Sequence, residues 1–242
     1  MPGIQLKILS YGQTDIGLMR ERNEDAFLCE NELQLYAVAD GVGGLPNGSL
    51  ASAMAVEMIY KMISELPSDC PIPWTDAFNT INSEVHERGI ALDENTGMGT
   101  TLTTAVIRGD IMSYAHVGDT GIMLFRNNKI IRITKDHTLG QQMIDEADTE
   151  AKLYIPEQFL HSLTRCIGQY GFLPVDTGEE QLHPGDRVMI YSDGVSCGWT
   201  DDELLKVVNG LSTAETVVKK IIQQSNARGG IDNCTAVVIF VE

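Results

Sequence analysis

Four apolar runs follow one another almost without interruption, at residues 100–108, 111–117, 121–126 and 129–134. They are punctuated only at Gly109-Asp110, Gly118-Asp119 and Asn127-Asn128. Each run has the length of a strand, and each break carries turn-forming residues. Parallel neighbours need a crossover of about a dozen residues or more, usually a helix. Breaks this short permit antiparallel connections only, so the stretch predicts an antiparallel meander.

The flanking chain adds helices around this sheet. Residues 26–30 and 33–40 predict two strands joined by a turn at Glu30-Asn31-Glu32. Leu50, Met54, Met58 and Met62 recur at helical spacing over 48–65, as do Trp74, Phe78, Ile81 and Val85 over 74–91. The segment between them, 66–73, is proline-rich and reads as a loop. Residues 138–162 are polar, lack strand alternation and suggest one or two short helices. A strand over 186–192 ends at Asp193-Gly194, helices follow over 201–209 and 212–225, and a last strand covers 234–241. Strands interleaved with helical pairs predict an α+β fold with helices packed outside antiparallel sheets. The 242 residues are 43% apolar and show no linker, repeat or low-complexity tract, so a single domain over 1–242 is expected.

Charge narrows the function classes. With 17 Lys and Arg against 34 Asp and Glu, the formal net charge is −17. Such a surface repels nucleic acid and anionic membranes. It also repels phosphate at long range, so any phosphate chemistry needs local cations. No apolar run approaches the ~20 residues of a spanning helix, and residues 1–10 lack the layout of a signal peptide. Cys29, Cys70, Cys166, Cys197 and Cys234 are an odd set without close pairing, which reads as reduced thiols of a cytoplasmic chain.

Aspartates collect where the strand-like runs end. They stand in Arg20-Glu21-Arg22-Asn23-Glu24-Asp25, Asp40-Gly41-Val42-Gly43-Gly44, Gly118-Asp119-Thr120, Ser192-Asp193-Gly194 and Asp232-Asn233. Taken singly, each reads as a turn residue. Taken together, Asp25, Asp40, Asp193 and Asp232 all flank strands and are free to meet at one end of the sheets. Folding alone gives no reason to gather like charges there; a cation does. Hard oxygen ligands of this kind suit Mg²⁺ or Mn²⁺. Glycine after Asp40 and after Asp193 permits a sharp turn and lets a backbone carbonyl approach a metal.

The order of these motifs resembles the metal-dependent type-2C serine/threonine protein phosphatases, the PPM family, in their bacterial form. Besides the aspartate motifs, the likeness is carried by Gly97-Met98-Gly99-Thr100-Thr101, His116-Val117-Gly118-Asp119-Thr120, Thr134-Lys135-Asp136-His137-Thr138 and Leu163-Thr164-Arg165-Cys166-Ile167-Gly168. It runs in order from about residue 10 to 241. The resemblance implies a central antiparallel β-sandwich flanked by helical pairs on both faces (α-β-β-α), with residues 138–162 as a flap over the cleft. It implies that Asp40 bridges two Mn²⁺ or Mg²⁺ ions and that Asp193 and Asp232 complete the first site. The carbonyl of Gly41 joins the second, and Asp25 (or Glu24) acts through bound water. Asp119 matches an aspartate that holds a third, weaker ion with Asp193, and Arg20 matches the phosphate-binding arginine. The implied reaction is hydrolysis of phosphoserine and phosphothreonine in proteins by a metal-activated water, without a phosphoenzyme. The implied partners are phosphoproteins and an opposing serine/threonine kinase; a monomer is the default expectation for a compact single catalytic domain.

Two positions depart from the pattern. Val42 stands where some relatives carry a histidine thought to protonate the leaving alkoxide. His161 stands where relatives often carry Asn or Ser, beside the third-ion residues. His116 and His137 read as structural, and Cys197 as a bystander. A pseudophosphatase that binds phosphoproteins without turnover is the alternative; such a protein usually lacks an aspartate, whereas all four stand here. A structural divalent-ion protein leaves Arg20 unexplained.

Overall fold

A computed structural model of the chain describes residues 6–147, 155–196 and 198–242. Among the described residues, ten strands form two five-stranded antiparallel sheets. One has the order β1 (Ile8–Asp15), β10 (Cys234–Val241), β9 (Arg187–Tyr191), β6 (Gly121–Arg126), β7 (Lys129–Arg132). The other has the order β2 (Asp25–Glu30), β3 (Leu35–Asp40), β4 (Leu102–Arg108), β5 (Ile111–Val117), β8 (Asp176–Gln181). Helices α1 (Gly48–Ser64) and α2 (Trp74–Leu92) cover the second sheet, and α6 (Asp201–Gly210) and α7 (Ala214–Ala227) cover the first. The expected α-β-β-α sandwich is therefore present.

The central strands show why their sequences are apolar throughout. In β10, Ala236, Val238 and Phe240 pack under α6 and α7, while Val237, Ile239 and Val241 face the other sheet. In β3, Leu35, Ala37 and Ala39 pack under α1 and α2, while Tyr36 and Val38 point into the middle layer. Successive residues of a strand face opposite sides, so a strand buried on both faces has no polar alternation to show. Each Val, Leu, Ile or Phe among them contributes about 1.5–3 kcal/mol on burial. The helices are held by local signals as well. Thr200 and Glu203 form a reciprocal capping box at α6, and Thr213 caps α7.

Two expectations need correction. The runs at 100–134 are not one meander. β4 pairs with β5 and β6 pairs with β7, but these hairpins belong to different sheets. Because β5 and β6 turn Met112, Ile122 and Leu124 toward a shared middle layer, the hairpins gain more by stacking face to face than by extending one sheet edge to edge. The link at Gly118-Asp119-Thr120 therefore passes from one sheet to the other and carries Asp119 to the end of the sandwich. Two strands also escaped the sequence reading, β1 and β8, and both are edge strands. The region 138–162 contains α3 (Leu139–Glu146) and α4 (Glu157–Leu160), as its polarity suggested. Its middle, 148–154, lies outside the described residues, as does Cys197.

Candidate active site

One end of the sandwich brings the aspartate motifs together. In the helix-covered sheet of α1 and α2, Asp25 opens β2 and Asp40 closes β3, directly opposite each other in register. Asp40 is fixed through its backbone. Its N–H donates to Thr101 Oγ1 at 2.9 Å, and its carbonyl accepts from Thr101 N at 2.8 Å and Thr100 Oγ1 at 2.8 Å. The turn then runs against the start of α1, so closely that a Cβ on Gly41 would stand 2.5 Å from the backbone of Gly48. Only glycine fits there.

The other sheet supplies the second pair. β9 and β10 pair side by side, and Ser192 N, just past the end of β9, donates to Thr235 O of β10 at 3.0 Å. Asp193 follows β9 and opens the one-turn helix α5 (Asp193–Ser196), and Asp232 precedes β10. A Cβ on Gly194 would stand 1.9 Å from the carbonyl oxygen of Asn233, so the glycine is what lets these two turns touch. Asn233 then laces the neighbouring loop in place. Its Nδ2 donates to the carbonyls of Ile16 (2.9 Å) and Arg22 (3.0 Å), and its Oδ1 accepts from Glu24 N at 2.8 Å.

These elements border a cleft of about 570 Å³, lined among others by Arg20, Glu24, Asp40, Gly41, Val42, Asp119, His161, Asp193 and Asp232. Of the residues singled out from sequence, Arg20, Asp40, Gly41, Asp119, Asp193 and Asp232 border it directly. Asp25 lies behind them. It is 8% exposed, and its Oδ2 accepts from Thr235 Oγ1 (2.6 Å) and Ser192 Oγ (2.8 Å). Glu24, weighed as its alternative, faces the cleft. Arg20 donates to Asp232 Oδ2 at 2.6 Å. His161, at the end of α4, places Nδ1 3.2 Å from Asp193 Oδ2. One ligand atom from each of Asp119, His161 and Asp193 lies within 4.8 Å of the others.

The electrostatics ask for cations. Burial, followed by the charges of Asp25, Asp193, Asp119 and Asp232, holds the Asp40 carboxyl well above its ordinary range. Asp119 is pushed up to about 7 by burial and by Asp193 and Asp136. Asp25 is pushed up to about 6 by burial, against the opposing hydrogen bonds from Thr235 and Ser192. Its Oδ1 is buried with no hydrogen-bond partner among the described residues. Arg20 is the one Arg or Lys lining the cleft among the described residues, and its hydrogen bond to Asp232 holds its pKa above the ordinary value. Four converging carboxylates, an orphaned carboxylate oxygen and an all-oxygen donor set around Asp40 fit hard divalent cations.

The motif histidines hold structure. His116 is fully buried, shares a hydrogen bond with Thr103 Oγ1 (2.8 Å), and is pushed down to about 3 by burial. His137 Nδ1 accepts from Gly118 N at 3.1 Å and its ring stacks near that of His116. Together they brace the link that presents Asp119. The sequence reading assigned no role to Asn233, Ser192, Thr235 or Thr101, although these four orient Glu24, Asp25 and Asp40. The one available signal was their place beside the strand-end aspartates.

The family model described as Protein phosphatase 2C matches residues 20–230. The serine/threonine phosphatase stp of Listeria monocytogenes serotype 4b is 26% identical over 235 residues, covering 94% of this chain and 93% of that protein. The solved structure of the S. agalactiae serine/threonine phosphatase has a TM-score of 0.86 at 28% identity, covering 98% of this chain and 100% of the other. That of the catalytic domain of the serine threonine protein phosphatase PstP, in complex with two manganese ions, has a TM-score of 0.82 at 26% identity, covering 98% and 99%.

Proposed function

The chain belongs to the protein phosphatase 2C family, and from that premise we propose that it is a metal-dependent protein phosphatase acting on phosphoserine and phosphothreonine. The observation that carries this reading is the meeting of Asp40, Asp193 and Asp232, from both sheets, around a cleft that also holds Arg20. A pseudophosphatase is disfavoured, because no carboxylate of the set is missing and all are gathered at one place.

The roles proposed are those the family likeness implies. Asp40, at the end of β3, would be the shared ligand of two Mn²⁺ or Mg²⁺ ions. Asp193 and Asp232 are assigned to the first and the Gly41 carbonyl to the second. Asp25 supports them from behind, gripped by Ser192 and Thr235, while Glu24 faces the cleft at the same level. Asp119 and Asp193 are assigned a third ion, to which His161 adds a nitrogen donor. A pair of such ions, when bound, lowers the pKa of water and neutralises charge in an in-line displacement at phosphorus. The residues of the chain orient the ester for that displacement. The Arg20 guanidinium offers a planar fork to the phosphoryl oxygens, and its bond to Asp232 fixes the direction in which it points. Val42 lines the cleft without a proton to give, so protonation of the leaving alkoxide does not come from that position.

The partners in this reading are phosphoproteins made by a serine/threonine kinase, with the chain acting as a monomeric single catalytic domain in the cytoplasm. The cysteines at 29, 70, 166 and 234 are free thiols, which supports a reducing compartment. No helix among the described residues is long and apolar enough to cross a membrane. The test is turnover of matched phosphothreonine, phosphoserine and phosphotyrosine peptides in Mn²⁺. Release of phosphate from the first two is expected, and preference for phosphotyrosine would overturn the assignment.

A further inference from the structure

Three large apolar side chains stand exposed on the two loops that carry Arg20 and Asp232. Leu18, Met19 and Ile231 are 66%, 71% and 64% exposed. Met19 precedes Arg20, the group proposed to receive the phosphoryl oxygens, and Ile231 precedes Asp232, the ion-pair partner of Arg20. Ile231 borders the cleft itself.

The segments that carry them are tied together. The N–H groups of Leu18 and Met19 donate to the Gly230 carbonyl at 2.7 and 3.1 Å. Arg20 donates to Asp232 at 2.6 Å, and Asn233 holds the carbonyls of Ile16 and Arg22. The backbone beneath these side chains is therefore fixed in place. Single exposed aliphatic residues need no explanation, but a group of them beside a polar site does.

Resting on the phosphatase reading above, we infer that this rim selects phosphopeptides with an apolar residue beside the phosphorylated Ser or Thr. A phosphoryl group seated on Arg20 comes within one residue of Met19, and across the ion pair Asp232 lies one residue from Ile231. An extended peptide advances about 3.4 Å per residue, so side chains flanking the phosphorylated residue meet this rim first. The chain's net charge of −17 opposes an acidic flank and draws a basic one at long range, so preference for leucine over lysine is the mark of the rim itself.

The test compares kcat/KM in Mn²⁺ for one phosphothreonine peptide carrying leucine, serine, aspartate or lysine on both sides of the phosphothreonine. p-Nitrophenyl phosphate, which has no flanks, is the reference substrate. The wild type should prefer leucine over serine by about tenfold, and Leu18→Ser with Met19→Ser should cut this ratio to about twofold while p-nitrophenyl phosphate turnover holds. If the double variant loses that reference turnover, the Met19→Ser single variant carries the same comparison. Equal rates for leucine and serine flanks, a preference for lysine, or a leucine preference that survives the substitutions would overturn the inference. A wild type inactive on p-nitrophenyl phosphate would strike the phosphatase reading itself, and this inference with it.

Discussion

Gly194 and Asn233 approach so closely that a methyl group on the glycine would stand 1.9 Å from the asparagine carbonyl oxygen. That contact joins the turn after β9 to the turn before β10 and sets Asp193 beside Asp232. Gly194→Ala must push the turns apart. Overpacking of this kind costs about 1–3 kcal/mol, which lowers Tm by roughly 2–12 °C in a chain of this size. Calorimetry should show that loss, together with weaker Mn²⁺ binding, since the two aspartates separate. An unchanged Tm and Mn²⁺ affinity would mean that the turns accommodate the methyl group and that their contact does not set the site.

The gathered carboxylates predict how the ion-free protein responds to pH. Asp25 and Asp119 are pushed up to about 6 and about 7 from an ordinary value of 3.8, by burial first and neighbouring carboxylates second. Between those values the native state holds protons that the unfolded chain has already released. Stability therefore falls as pH rises through this window. The buried imidazoles of His116 and His137, pushed down from 6.5, act in the opposite sense below that value, so thermal unfolding after EDTA treatment should give a lower Tm at about pH 8 than at about pH 6.5, with a shallower fall in Asp119→Asn. Saturating Mn²⁺ should flatten the profile by binding the native state. A Tm that rises with pH in the ion-free protein would contradict this electrostatic picture.

Arg20 is expected to bind substrate more than to drive chemistry. A hydrogen bond to a charged group contributes about 1.5–3 kcal/mol, so Arg20→Ala should raise KM for p-nitrophenyl phosphate by roughly tenfold or more. The effect on kcat should be smaller. Steady-state kinetics separate the two, and a variant with normal KM would remove Arg20 from the phosphate site.

His161 tests the third ion. Its Nδ1 stands 3.2 Å from Asp193 Oδ2, and it joins Asp119 in a cluster of three potential donors. Titration of Mn²⁺, followed by the EPR signal of free ion, should show a weak site beyond the two tighter ones. That weak site should lose about tenfold or more in affinity in His161→Ala, the scale on which metal-site partners act. The tighter sites should hold. Identical isotherms for the two proteins would exclude the imidazole as a ligand.

The legibility of this chain followed burial. β3, β9 and β10 were readable because both their faces are covered, leaving runs of Val, Ile, Leu and Ala. β8, with the sequence Asp-Thr-Gly-Glu-Glu-Gln, was not, because an edge strand gains from charges that deter further pairing. β1 is mostly half-buried and mixed in character for the same reason. The wrongly drawn meander has another cause. A short break fixes that two strands run antiparallel, but not whether the next hairpin extends the sheet or stacks on it. In the site, the aspartates were visible by repetition at strand ends. Ser192, Thr235 and Asn233 were not, because one hydroxyl or amide near a turn looks like any other until its partner arrives from about 170 or more residues away, as the bonds of Ser192 and Thr235 to Asp25 show.

The central claim is that carboxylates from both sheets hold divalent ions that make this cleft a phosphomonoesterase. It is tested most directly by p-nitrophenyl phosphate hydrolysis after EDTA treatment and again after Mn²⁺ is restored, with Asp40→Asn alongside. Turnover should vanish with EDTA and return with Mn²⁺, and Asp40→Asn should fall by more than the roughly 100-fold typical of residues that only orient a ligand. Turnover that survives EDTA, or that persists near the wild-type rate in Asp40→Asn, would contradict the account.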